Sequence, residues 1–449
     1  MPVKVLSQRD LSSWGLTYLN RQSEADEERQ GEKSKDIKSI MAIILMMIIE
    51  RKEIGEIKDI NKWLLIYGRR KTGKTFLVEH FLDYDEYFFV KRDRSIISKK
   101  DETQISVDTF QTIFKRALKD QQIVVIDEFH RLGPDFLDLL QYTGKTGKLI
   151  LISSTLFLSH QLFSKQSPIL GFFAENPLSI ISLIDTLQAL QSDQLDKKTL
   201  VEMGIILREP LTIDFFKKAD QPRSFFAKIM KYNVKTIPAL IGEIFIEEDR
   251  KISAMYEGIL RAIASGKTKS GEISSYLFSR KLLKKDDPSL VQQYLKNLIE
   301  VGIIRKIPVY RKNRFVYKHV SPLALIFYYA DEKYNISERM LVESEITHII
   351  NEIMPLIVED NIRLFLSERF GLHEHIVQEK EYEIDGCLLK FKSAEIAMEV
   401  KWGKRIDFAR VSENLSKVSA KRKILFVPDK NKIDKTFSDI EIVDITDFL

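Results

Sequence analysis

Residues 63–82 read Trp63-Leu64-Leu65-Ile66-Tyr67-Gly68-Arg69-Arg70-Lys71-Thr72-Gly73-Lys74-Thr75-Phe76-Leu77-Val78-Glu79-His80-Phe81-Leu82. An apolar run is followed by a glycine-bounded basic loop and then by apolar residues at helical spacing. Gly68 to Thr75 fits G-x-x-x-x-G-K-[ST], and a strand before it with a helix after it is the setting in which that pattern wraps phosphate. Gly68 and Gly73 let the backbone turn its amides inward, where they join the positive end of the helix in holding phosphate oxygens. Arg69, Arg70, Lys71 and Thr72 form the body of the loop, Lys74 reaches the β and γ oxygens, and the Thr75 hydroxyl takes Mg2+. A glycine-flanked basic turn ahead of a helix is the bland alternative, and the flanking strand and helix weigh against it.

Three more short apolar runs follow, Tyr87 to Val90, Ile123 to Ile126 and Leu149 to Ile152, with helical patterns between them. Runs of this length and composition indicate buried strands of a parallel sheet covered on both faces, an α/β architecture. The second run ends in Asp127-Glu128, which puts carboxylates at the carboxyl edge of the sheet, where open α/β folds bind ligands. Asp127 suits a Mg2+-bound water, and Glu128 suits polarisation of the water that attacks the γ-phosphate. An acidic pair after a strand is also a common helix N-cap when it stands alone. The third run leads into Ser153, whose hydroxyl either senses the γ-phosphate or caps a helix ahead of Leu156. His130 and Arg131 read as helix-surface residues, with Arg131 a relay to the acids as the sharper reading.

The 449 residues carry 70 Lys plus Arg against 65 Asp plus Glu, with 18 Gly, 12 Pro and one cysteine, Cys387. That composition excludes collagen-like and wholly disordered chains and suits several domains. A single thiol excludes a disulfide framework and points to a reducing, cytoplasmic setting. The densest apolar run, residues 40–49, is too short to span a bilayer and is expected as a buried helix, with no membrane partner. Residues 1–35 are a mixed-charge stretch without apolar periodicity and read as a solvated arm.

Beyond residue 180, helical periodicity over Leu183 to Leu190, Leu200 to Ile205 and Phe215 to Tyr232 indicates a helical lid on the sheet. Residues 253–320 hold 14 Lys or Arg against five Asp or Glu, so the basic charge is concentrated in one segment. Helical patterns over Tyr256 to Ala264, Glu272 to Leu277 and Ser289 to Val301, then two strand-like runs either side of a turn, spell a winged helix-turn-helix. Its third helix offers Ser289, Gln292, Gln293 and Lys296 to a major groove, and the wing offers Arg311, Lys312 and Arg314 to phosphates. Winged helices also serve as protein-binding or intramolecular packing modules, and a basic helix face is often only solvated.

The last hundred residues begin with a helix, Glu345 to Ser367, and contain Asp385 followed after 13 residues by Glu399-Val400-Lys401. Period-two alternation puts Glu399 and Lys401 on one strand face. Two carboxylates beside a lysine serve metal-assisted phosphodiester hydrolysis, with Asp385 and Glu399 holding Mg2+ and Lys401 stabilising developing charge; Glu359 is a candidate fourth group. Alternatively, Asp385-Gly386 is a hairpin turn and Glu399 with Lys401 an exposed ion pair. His373 and His375 read as a solvated loop or, less simply, a metal pair.

The blocks YGRRKTGKTFLVEHF, VVIDEFHRL and IPALIGEIFIEEDRKISAMYEGILRAIASGKTKSGEI together resemble the archaeal ATPase family, a branch of AAA+/STAND-type P-loop NTPases. The Asp385, Glu399 and Lys401 pattern resembles the PD-(D/E)xK nuclease superfamily. The resemblances imply an ATPase core over 36–180, a lid over 181–252, a winged helix over 253–330 and a restriction-endonuclease-like α/β domain over 345–449. They imply ATP and Mg2+ as cofactors and DNA as a partner, with a homo-oligomer or a protein partner left open. The expected function is ATP hydrolysis coupled to DNA binding and to metal-dependent cleavage. The alternative is a nucleotide-switched DNA- or protein-binding regulator whose last domain is an inactive scaffold.

Overall fold

The computed structural model describes residues 47–133, 135–154, 167, 169–242, 250–339, 341–403 and 406–449. The arm assigned to 1–35 lies outside them, as does the apolar run 40–49 up to residue 46. Its remaining residues, Met47 to Ile49, are not helical, although Ile49 is buried. Among the described residues, no helix is long and apolar enough to cross a membrane.

Helix α1 (Lys52–Lys58) leads into β1 (Trp63–Tyr67), the phosphate-loop segment and α2 (Lys74–Phe81). Strands β2 (Glu86–Val90), β3 (Ile96–Ser98) and β4 (Thr103–Ile105) follow, then α3 (Val107–Lys119), β5 (Ile123–Asp127), α4 (Asp135–Thr143), β6 (Lys148–Ser153) and β7 (Phe173–Pro177). They form one seven-stranded sheet in the order β4-β3-β2-β5-β6-β1-β7. The β2-β5-β6-β1-β7 pairs are parallel, as the apolar runs predict, whereas β3 and β4 extend the sheet antiparallel.

Both faces are covered because β1, β2, β5 and β6 alternate their apolar residues between two cores. Leu65, Phe88, Ile126 and Leu151 pack with Phe110 and Phe114 of α3 on one side. Ile66, Tyr87, Val125 and Ile152 pack with Ile54, Leu77 and Val78 on the other. Burial of each such side chain stabilises the sheet by about 1.5–3 kcal/mol. The pairing Tyr67↔Ser153 and Ile152↔Asp127 then lines up the ends of β1, β6 and β5 along one edge.

Next come α5 (Leu183–Leu190), α6 (Lys197–Ile206), the short α7 (Pro210–Ile213), α8 (Pro222–Asn233) and α9 (Thr236–Gly242). The helix expected from Phe215 begins only at Pro222, because proline fits the first turn, where no amide hydrogen is needed. Helices α10 (Arg250–Ala264) and α11 (Ser270–Ser279) precede a 3-10 turn, Pro288–Val291, and α12 (Gln292–Glu300). Gly302 ends that segment at φ 72°, and β8 (Ile304–Pro308) pairs antiparallel with β9 (Phe315–His319).

After α13 (Pro322–Tyr334) and the long α14 (Glu343–Phe370) come β10 (His373–Gln378), β11 (Glu383–Lys390), β12 (Ser393–Val400), α15 (Phe408–Ser416), β13 (Arg422–Phe426) and β14 (Glu441–Val443). The five strands lie in sequence order, antiparallel from β10 to β12 and parallel from β12 to β14. Asp385-Gly386 is therefore no turn: both residues lie inside β11, and the chain reverses after Lys390, which pairs with Ser393. His373 and His375 lie on an edge strand instead of a loop. One hydrophobic cluster runs unbroken from α5 through α10, α13 and α14 to Met398, Trp402 and Phe426 of this sheet.

Candidate functional site

The loop after β1 is shaped by its glycines. At φ 148°, a side chain on Gly68 would place its Cβ 2.2 Å from the Leu178 carbonyl oxygen, so only glycine fits there. Gly73 caps α2 at φ 85°, which turns the helix's first amides toward the loop. Lys74 folds across the loop and donates from Nζ to the carbonyls of Gly68 (2.9 Å) and Arg69 (2.7 Å). Burial is the first cause that pulls its pKa from 10.5 down to about 8, against the fields of Glu128 and Asp127. Thr72 donates to the Arg69 carbonyl (3.0 Å), Lys71 is exposed, and Arg70 is half-buried.

Two groups brace the loop that spacing did not indicate. Arg51, buried ahead of α1, donates to the Thr72 carbonyl (2.9 Å) and the Ser179 carbonyl (3.0 Å). Glu209, buried ahead of α7, takes Arg69 in an ion pair at 2.5 Å. Neither has a motif around it, since each acts through a long-range contact.

Asp127 stands at the end of β5 with Oδ2 accepting from Thr75 Oγ1 (2.7 Å) and Tyr87 OH (3.0 Å). Its Oδ1 is buried without a hydrogen-bond partner, and burial raises its pKa. A hydroxyl and a carboxylate at contact distance, with one oxygen to spare, are the kind of donor set that would hold Mg2+, which would neutralise charge on phosphate oxygens there. Glu128 sits in the left-handed region (φ 57°) and accepts from Ser154 Oγ at 2.9 Å, with Arg131 Nη2 3.2 Å away. Ser153, at the tip of β6 between the loop and the acids, has its hydroxyl 3.2 Å from His130 Nδ1.

His130 and Arg131 are not helix-surface residues. His130 is half-buried on a 3-10 turn with its side chain only 7% exposed, and burial pushes its pKa down to about 3, so it faces Glu128 as a neutral ring. Arg131 also donates to the Val90 carbonyl (2.7 Å), which ties the acid to the end of β2.

Beside the loop lies a mostly apolar cavity of about 310 Å³. Ile49, Ile54, Phe76, Leu77, Ile181 and Leu211 line it, and it opens onto Lys71, Thr72 and Gly73. Phe76 and His80 stack at its edge, with ring centroids 4.0 Å apart.

The second acid cluster forms where β11 and β12 run side by side. Lys401 is ion-paired with Glu399 and lies 3.6 Å from Asp385. Asp385 Oδ2 accepts from the Val400 amide (2.8 Å), and Glu399 Oε1 is buried without a partner. Burial, then Asp385, raises Glu399 to about 7, and the same two causes raise Glu359 to about 8. Two carboxylates with an unsatisfied oxygen can take a divalent cation that keeps waters of its own. No group of three or more His, Cys, Asp or Glu is placed to share one among the described residues, His373 and His375 included. The cleft in front of the cluster, about 600 Å³, is also lined by Glu379, Glu381, Glu383 and Asp407.

Ser289, Gln292, Gln293 and Lys296 are all exposed, Ser289 on the 3-10 turn and the others on α12. Of the three basic residues in the turn between β8 and β9, Arg311 and Arg314 are exposed. Lys312 is committed to the C-terminal sheet, donating to the Gln378 carbonyl (2.6 Å) and Glu379 (2.7 Å). Tyr310 also donates its amide to the Ile376 carbonyl (2.8 Å), so the hairpin is docked against β10.

Among solved structures, the chain is similar to the Aeropyrum pernix ORC1 protein in complex with DNA, at 14% identity and TM-score 0.29 over 65% of this chain and 95% of that one. It is similar to the Aeropyrum pernix ORC2 protein in ADPNP-ADP complexes at 12% identity and TM-score 0.34, over 68% and 89%. It is similar to CDC6P from Pyrobaculum aerophilum at 13% identity and TM-score 0.25, over 72% and 95%. No curated relative matches it by sequence. Residues 60–180, which hold the loop, the acids and Ser153, match the family model described as AAA domain.

Proposed function

We propose that the chain is a Mg2+-dependent ATPase of the P-loop class whose nucleotide state governs how its basic three-helix-and-hairpin unit engages DNA. The observation that carries the reading is the convergence at one sheet edge. Lys74 is held ready by loop carbonyls, Thr75 is bonded to Asp127, Glu128 follows Asp127 at the end of β5, and an apolar cavity of nucleobase size opens on the other end of the loop at Lys71, Thr72 and Gly73. Arg70, Lys71 and Lys74 draw the triphosphate into the loop, and the cavity takes the base. Mg2+ bound between Thr75 and Asp127 would neutralise charge on the phosphates. Glu128 is the base that orients water, and Ser153 is placed to sense the terminal phosphate. A Glu128→Gln protein is expected to bind ATP and fail to turn it over, as phosphate release would show. Turnover at the wild-type rate would remove Glu128 from the reaction.

For DNA, the support is the exposed set Ser289, Gln292, Gln293, Lys296, Arg311 and Arg314, on a segment whose charge is strongly basic. The order of three helices and a hairpin is that of a winged helix, which reads a groove with its third helix and phosphates with its wing.

A second reading, metal-dependent cleavage of DNA, is favoured by one observation: Asp385 on β11, Glu399 on β12 and Lys401 just past the end of β12 meet in an open cleft. In that reading the two carboxylates hold the metal and Lys401 steadies charge developing on the phosphate. Plasmid nicking in Mg2+ that disappears in Glu399→Ala supports it. Equal nicking by both proteins, or by neither, leaves the domain a scaffold.

A further inference from the structure

We propose that Glu209 is a charge switch between the phosphate loop and a buried arginine hub on α14, through which an occupied loop resets the C-terminal acid cluster. The inference rests on the nucleotide reading above and adds its regulation. It starts from Arg69, the second residue of the loop, whose guanidinium is spent on Glu209 at 2.5 Å. Glu209 is only 3% exposed, and its other oxygen, Oε1, has no hydrogen-bond partner.

The residue before it, Arg208, has different partners. It donates from Nε to the Ile181 carbonyl (2.9 Å) and from Nη1 to the Asn361 side chain on α14. The same turn of α14 is a meeting point for charge. Asp360 pairs with Arg305 of β8 (2.6 Å) and with Arg363, and both arginines share Glu374 of β10. Arg363 is fully buried and donates from Nη1 to the main-chain oxygen of Asp385 (2.8 Å), with Glu359 3.7 Å away. The loop, the hairpin and the acid cluster are thus joined by buried polar contacts, in which a lost partner cannot be replaced by water.

Phosphate supplies the second state. A triphosphate in the loop competes for Arg69 with more charge and better fork geometry than one carboxylate offers. Glu209, left buried and unpaired, would be strongly destabilising unless it found another cation. Arg208 is the adjacent one, and the burial that lowers its pKa to about 10 is opposed first by the field of Glu368 and then by that of Glu209. Taking Glu209 draws Arg208 off Asn361 and shifts the turn of α14 that fixes the backbone of Asp385. The two pairings are discrete, which lets a small movement at the loop appear as a different arrangement at the cluster.

The test is hydrogen–deuterium exchange of the full chain with and without ATP and Mg2+. In the wild type, ATP is expected to slow exchange over 68–82 and change it several-fold over 357–366 and 383–401. Asn361→Ala is expected to keep the first effect and lose the second. Asn361→Asp, which holds Arg208 more tightly and does not empty the site, is expected to lose the second effect too, and so separates switching from folding. Arg69→Gln frees Glu209 and is expected to show the ATP-bound pattern at 383–401 without nucleotide. A wild-type response confined to 68–82, or an undiminished distant response in both Asn361 variants, overturns the switch while leaving nucleotide binding intact. No ATP effect at 68–82 overturns the nucleotide reading first and the switch with it.

Discussion

Two strand-edge sites in this chain each set a lysine beside two carboxylates, and they distribute the charge in opposite ways. In the loop site, Lys74 is bonded to main-chain carbonyls, one oxygen of Asp127 accepts from the hydroxyls of Thr75 and Tyr87, and Glu128 accepts from Ser154 and pairs with Arg131. The lysine is therefore available to an anion. In the C-terminal site, Lys401 contacts its own acids, and the cleft adds Glu379, Glu381, Glu383 and Asp407 against Lys380 and Arg410. That cleft attracts cations. On the proposed reading, similar residue types thus yield an anion site where the backbone takes up the lysine, and a cation site where the carboxylates do.

The largest expected effect tests the first half of the contrast. Lys74→Ala is expected to lower ATP turnover by about 10²–10³-fold, the scale of losing a preorganised charge at the reacting phosphates. Steady-state phosphate release measures it, and a loss under tenfold would break the contrast at its stronger side.

Opposite pH profiles sharpen it. The folded pKa of Lys74, about 8, lies below the ordinary 10.5, so the lysine discharges as pH rises through 8 and ATP affinity falls above it. The folded pKa of Glu399, about 7, lies above the ordinary 4.5, so divalent-cation affinity at the C-terminal site rises from pH 6 to pH 8. The stability sign at Glu399 runs the other way. The fold retains a proton that the unfolded chain has already released, so this contribution is lost as pH rises through about 7. Titrations of Mn2+ and of ATP at pH 6, 8 and 9 check both directions, and parallel profiles would show that the two sites are not electrostatic opposites.

The smallest effect concerns the docked hairpin. Arg314→Ala is expected to lower the salt slope of DNA affinity by about one unit. Lys312→Ala is expected to change it less, because that side chain is already spent on Glu379 and Gln378. Fluorescence anisotropy over a salt series distinguishes them, and equal slopes for both variants would mean that the hairpin leaves β10 when DNA binds.

The loop site was legible because its parts are local. Trp63 to Tyr67 coincides with β1, and the other apolar runs mark β2, β5 and β6 to within a residue at each end. Strands β3 and β4 are three-residue segments too short to carry a pattern, and β7, Phe173-Ala174-Glu175-Asn176-Pro177, has no apolar run. Asp385-Gly386 carries a turn signal that sheet pairing overrides, since Gly386 lies against Met398 on β12. Arg51, Glu209 and Arg363 had no signal, because their roles come from partners far away in sequence. His130 and Arg131 lie off the helix surface for the same reason, since contacts with Ser153, Val90 and Glu128 cannot be inferred from two polar residues after a strand; the Arg131–Glu128 pair agrees with the relay reading.

The central claim is that Gly68 to Thr75 encloses a triphosphate with Lys74 as its principal cation. Isothermal titration of the full chain with ATP and Mg2+ at pH 7 measures this directly. Saturable binding at one site per chain, abolished in Lys74→Ala and weakened at pH 9, is the predicted result. Absence of binding in the wild type, or equal binding by the wild type and Lys74→Ala, would contradict it.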